Sequence, residues 1–186
     1  MLAQVRTFQK THNAIMTSAV VLVGSLLIAA CSQVSVFFPF TAVPFSLQNH
    51  AVLFLAATLG GKRALYCVGA YLLEGVCGAP VFAGGGCSIA ALLGPSGGYL
   101  LSYLPVSFIV GTLIKKMGSY TYAKGLCSIL VGQCLILIIG AAYLSIFVGS
   151  VYNAWLLGIY PFLLTDTLKS IILAGVVTAT NNLYQR

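Results

Sequence analysis

Apolar residues along this chain fall in long runs, separated by short clusters of proline, glycine and basic residues. A helix rises 1.5 Å per residue, so about 20 apolar residues are needed to cross a hydrocarbon core about 30 Å thick. On that measure six candidate spans emerge. The first, 14–38, stops at Pro39. The second, 46–59, is short and must be tilted, re-entrant or extended by the loop before it. The third, fourth and fifth cover 64–78, 98–114 and 123–147. The last, 154–180, carries Pro161 near its first turn, where a missing N–H is tolerated. The pattern predicts one all-α membrane domain over residues 1–186.

Charge supports this count, because Lys and Arg collect on the cytoplasmic side of short loops. Six crossings put Arg6 and Lys10, Lys62 and Arg63, Lys115, Lys116 and Lys124, and Arg186 on one side; the opposite loops contain no basic residue, and Lys169 is the exception. Both termini are therefore expected in the cytoplasm. Composition agrees: 60% of the 186 residues are hydrophobic and 6% are charged, where a soluble domain carries roughly a quarter charged residues. The net charge of +7 does not point to nucleic acid, since the basic residues are scattered between apolar runs. The six cysteines form no C-x-x-C and no metal-binding spacing, so neither metal nor cofactor is expected. Cys77 and Cys87 are the one candidate disulfide. Arg6 and Lys10 ahead of Leu27-Ile28-Ala29-Ala30-Cys31 imitate a lipoprotein signal, but the apolar run continues past Cys31 to Phe38.

Ionisable side chains inside membrane helices cost several kcal/mol and usually need a function or a partner. Glu74, Asp166 and Lys169 stand out on this ground. Asp166 and Lys169 are three residues apart, share a helix face and can neutralise each other. Glu74, near the outer end of the third span, and Gln48, opening the second, reach a similar depth. The glycine-rich connection 79–97 joins them there. These groups describe a small-molecule pocket open to the outside, beneath a loop able to fold over it.

At these residues the sequence resembles the BioY biotin transporters, the substrate-specific S components of energy-coupling-factor (ECF) importers. The resemblance lies in Val43-Pro44-Phe45-Ser46-Leu47-Gln48, Pro80-Val81-Phe82-Ala83-Gly84-Gly85, Leu93-Gly94-Pro95-Ser96-Gly97-Gly98-Tyr99-Leu100, and Pro161-Phe162 followed by Asp166-x-x-Lys169. It implies the six-helix S-component fold, capture of biotin from outside, a bacterial plasma membrane, and delivery through a transmembrane coupling subunit with ATPase subunits. Asp166 and Lys169 would then be polar contacts for biotin, with Gln48, Glu74 and Tyr99 as further candidates and Phe82, Gly84, Gly85 and Gly86 in the lid. Biotin's ureido N–H groups suit a carboxylate, its carbonyl and carboxylate suit Lys, and its thioether ring suits aromatic walls.

The chain departs from the family pattern at two places. Glu74 stands where an aliphatic residue is expected, which leaves another small vitamin as the alternative ligand. The Ala-x-x-x-Ala surface that packs S components on the coupling subunit has its nearest equivalent in Ala14-x-x-x-Ser18, where small residues still permit close helix approach. No phosphate-binding G-x-x-x-x-G-K-[ST] occurs, so either separate ATPase and coupling subunits drive transport, as the resemblance implies, or binding and slow facilitated passage occur alone. A remote rival is an intramembrane serine protease using Ser96 of Gly94-Pro95-Ser96-Gly97-Gly98. It would need a general base, for which only His12 and His50 exist.

Overall fold

The computed structural model describes residues 2–39, 41, 43–117 and 121–184, with side chains from Ile15 to Thr180 within those ranges. Arg6, Lys10, His12, Ala14 and Arg186 lie outside the described side chains. The helices are α1 (Leu2–Gln33), α2 (Gln48–Leu59), α3 (Gly61–Val76), α4 (Ile89–Leu93), α5 (Gly97–Lys116), α6 (Tyr122–Val148), α7 (Val151–Gly158) and α8 (Tyr160–Tyr184). Among the described residues, four stretches are long and apolar enough to cross a membrane: Ile15–Gln33, Gly97–Lys116, Tyr122–Val148 and Val151–Thr180. Helices α2 and α3 have 12 and 16 residues, about 18 and 24 Å at the α-helical rise, and are joined end to end through Gly60.

Helix α1 ends at Gln33 rather than running to Phe38. The β-branched and aromatic residues after it leave the helix, and Ser35–Val36 (β1) pairs antiparallel with Phe45–Ser46 (β2), Ser35 opposite Ser46. The stretch read as one span over 154–180 is two helices, α7 and α8, which divide at Ile159. Between α3 and α5 the connection is partly structured, with a 3₁₀ turn at Ala83–Gly85 and the short α4. Cys77 and Cys87 are both exposed free thiols, so the candidate disulfide is absent.

Packing brings the start of α3 against the end of α5. Gly60 adopts φ +80, which only glycine takes readily, and a methyl placed on Gly111 would lie 2.3 Å from the Gly61 nitrogen. Two glycines thus let two backbones touch, and Lys62 and Arg63 come to the same end of the bundle as Lys115. The outward faces are as apolar as the interior: Leu22, Val23 and Leu26 on α1, Ile138 and Ile146 on α6, and Leu164 and Ile172 on α8 are all exposed. That surface suits lipid, where helix backbones satisfy their own hydrogen bonds.

Candidate functional site

The other end of α2 carries the polar groups. Gln48, Asn49 and His50 open the helix and are all buried. Facing them, Asp166 on α8 is only 2% exposed, a burial that a carboxylate tolerates only when fully partnered. It is partnered three times. Its Oδ2 accepts from Gln133 Nε2 of α6 at 2.6 Å and from Asn49 Nδ2 at 3.2 Å, while Oδ1 meets Lys169 Nζ at 3.2 Å. Gln133 Oε1 accepts in turn from Asn49 Nδ2 at 3.0 Å. His50 locks Asn49 from behind, its Nδ1 lying 2.9 Å from Asn49 Oδ1 and its Nε2 3.4 Å from Ser170 Oγ. Three helices therefore fix the position of one carboxylate.

Lys169 donates a second hydrogen bond to the Ser46 carbonyl at 3.2 Å. That bond ties the β1–β2 hairpin to α8, and Phe45 reinforces it by stacking on Phe162 with ring centroids 4.3 Å apart. A hollow of about 190 Å³ lies beneath the hairpin, walled by Gln48, Phe82, Gly86, Ser96, Tyr99 and Tyr103. A second of about 30 Å³ shares Ser46, Tyr99 and Tyr103 with it and reaches Asn49, Phe162 and Asp166. A larger hollow, about 660 Å³, surrounds Gly60 and Gly61 at the far end and holds none of these amide or carboxylate groups.

The roof is held as firmly as the floor. Ser32, near the end of α1, donates to the Val81 carbonyl, and Gln33 Nε2 donates to the Phe82 carbonyl at 3.2 Å. Tyr71 donates to Val81 as well, at 3.2 Å. These bonds press Phe82, 3% exposed, edge-on against Tyr71 and over Gly75, where a methyl would lie 2.1 Å from the Phe82 ring. Tyr99 is fixed from the opposite wall: its hydroxyl donates to the Gly158 carbonyl at 2.9 Å, and its ring lies 2.2 Å from where a Gly140 methyl would be.

Unused hydrogen-bonding capacity indicates what the site can hold. An ionised carboxylate offers about four lone-pair positions, and three donors occupy Asp166. An ammonium has three N–H groups, and Lys169 spends two. Gln48 Nε2 is buried with no acceptor among the described residues, an arrangement that is unfavourable unless a bound molecule supplies one. One acceptor position and two donors around aromatic walls suit a small molecule with an N–H, carbonyl or carboxylate oxygens, and an apolar body.

The residues expected from sequence separate here. Gln48, Phe82, Gly86, Tyr99 and Asp166 line the two hollows, and Lys169 binds Asp166 beside them. Gly84 and Gly85 are exposed in the roof turn and line neither hollow, and a methyl placed on Gly84 would lie 2.9 Å from the Phe37 ring. Glu74 also lines neither; its Oε1 accepts from Ser25 Oγ of α1 at 2.8 Å. Ser18 is exposed on α1. Ser96 lines the larger of the two hollows, but both nitrogens of His50 are engaged elsewhere, so among the described side chains no histidine is placed to activate it. Sequence reasoning missed Asn49, Gln133, Ser46 and Phe162.

Comparisons with known proteins identify the family. The profile described as BioY family matches residues 5–186. The biotin transporter BioY2 of Lactococcus lactis subsp. cremoris is 34% identical over 150 residues, covering 80% of this chain and 81% of its own. The biotin transporter BioY of Thermotoga maritima is 34% identical over 136 residues, 73% of this chain and 79% of its own. Among solved structures, the S component for biotin from an ECF-type ABC transporter superposes with a TM-score of 0.84 at 26% identity, over 92% of this chain and 93% of that one. This multi-pass membrane protein belongs to the BioY family.

Proposed function

We propose that this chain captures biotin from the extracytoplasmic side as the S component of an ECF importer, in the plasma membrane of a bacterium. One observation carries the reading: Asp166, paired with Lys169 and held by three helices, lines a small aromatic-walled hollow that shares Ser46, Tyr99 and Tyr103 with the larger one, whose wall carries Gln48 Nε2, without an acceptor among the described residues. The carboxylate's free lone pair suits a ureido N–H, the two donors suit biotin's oxygens, and Tyr99, Tyr103 and Phe162 suit its ring system. Relatives named as biotin transporters support the same ligand. Glu74, hydrogen-bonded to Ser25 and outside both hollows, gives no support to a different vitamin.

The proposed topology has six crossings, formed by α1, α2, α3, α5, α6 and α8, with both termini cytoplasmic. The positive-inside rule supports it, since Lys62, Arg63 and Lys115 gather opposite the ligand site. With no ATP-binding motif of its own, the chain depends on a coupling subunit and ATPase subunits, docking through the α1 face that carries Ala14 and Ser18. Accumulation of labelled biotin by cells making this chain with ECF partners is the test. Uptake should require both the partners and Lys169. Equal uptake by Lys169→Ala cells would refute the reading.

A further inference from the structure

The hollow of about 660 Å³ at the Gly60 end takes no part in biotin capture, and its chemistry is of another kind. Its rim carries Lys62, Arg63 and Lys115, from the start of α3 and the end of α5. Its walls are Leu59, Phe108 and Ile114, with the hydroxyls of Thr58 and Thr112 between. The chain has only two acidic side chains. Asp166 is held by Lys169 and Glu74 by Ser25, so neither serves these three cations. The contact between Gly61 and Gly111 fixes the two helix ends against each other, so the cations surround a preformed seat.

We infer that this groove is a binding site for an anionic phospholipid, its phosphate on Lys62, Arg63 and Lys115 and its upper acyl chain along Phe108 and Ile114. Charge complementarity calls for an anion, and the apolar wall calls for one joined to hydrocarbon, which free phosphate lacks. Phe108 is 42% exposed on the outward side of α5, so the groove opens toward the lipid. The N–H groups of Lys62 and Arg63, in the first turn of α3, have no partners within the helix and add to the attraction for phosphate. Basic pockets between membrane helices at a cytoplasmic surface recognise anionic headgroups in the same way.

The test uses the full chain in detergent with added phosphatidylglycerol, phosphatidylcholine or inorganic phosphate, followed by native mass spectrometry and thermal unfolding. Phosphatidylglycerol should be retained and should raise the unfolding midpoint; the other two should do neither. The variant Lys62→Gln/Arg63→Gln/Lys115→Gln changes only exposed side chains. It should lose phosphatidylglycerol by at least tenfold, whereas Lys124→Gln should not. Biotin binding measured on the same samples verifies the fold, and its outcome is independent of the lipid result. Retention of phosphatidylglycerol by the triple variant overturns the inference, as does equal retention of phosphatidylcholine. A shift reproduced by inorganic phosphate also overturns it. Loss of coupling-subunit binding in the triple variant, with lipid retention unchanged, would reassign the groove to a protein partner.

Discussion

Replacing Asp166 by Asn keeps the side chain's shape and removes its charge, which isolates the role of the carboxylate. Asp166 accepts from Gln133 and Asn49 on one oxygen and from Lys169 on the other. An asparagine has only one oxygen to offer. Turned toward Gln133, it sets its NH₂ against the Lys169 ammonium; turned the other way, it sets its NH₂ against the Gln133 amide, which approaches Asp166 to 2.6 Å. Either orientation replaces a charge-assisted hydrogen bond by a donor facing a donor. Such bonds contribute about 1.5–3 kcal/mol each, so a ligand whose N–H docks on this carboxylate should bind about 10- to 150-fold more weakly. Calorimetric titration of biotin into detergent-purified protein measures this directly, with thermal unfolding recorded beside it. A biotin Kd within about twofold of the unaltered chain would refute the reasoning. With a lowered unfolding midpoint, that result would assign Asp166 to helix packing alone.

Gln48→Leu separates ligand binding from stability in the opposite sense. It removes a buried N–H that has no acceptor among the described residues, so the ligand-free midpoint should stay level or rise, while biotin binds about tenfold more weakly by calorimetry. Gln133→Leu removes the shortest hydrogen bond to Asp166 and the acceptor of Asn49. Chemical denaturation should report a loss of about 1–3 kcal/mol, and an unchanged stability would contradict the network. Phe82→Ala empties the space between Tyr71 and Gly75; it should cost about 3–5 kcal/mol in the same assay and speed biotin dissociation.

The polar end of the bundle was legible because charge inside an apolar helix is conspicuous. Asp166 and Lys169 needed no structure to be singled out, and neither did the glycine-rich roof around Phe82. Asn49 and Gln133 carried the same signal more faintly: neutral amides within apolar helices also need partners, and weighing only ionisable groups passed over them. Glu74 shows the opposite failure. Its place near the end of α3 does not fix which way it faces: a turn of 100° per residue separates Glu74, hydrogen-bonded to Ser25, from Gly75 beneath Phe82. The β1–β2 hairpin was hidden because Val34 to Phe38 reads as a continuation of the apolar run. Only pairing with Phe45 and Ser46, distant in sequence, turns it into a strand.

Equilibrium binding of radiolabelled biotin to the purified chain tests the central claim most directly, with thermal unfolding showing that each sample is folded. Saturable binding of one biotin per chain, abolished in Lys169→Ala and weakened in Asp166→Asn, is the predicted result. A folded, unaltered chain that retains no biotin would contradict it.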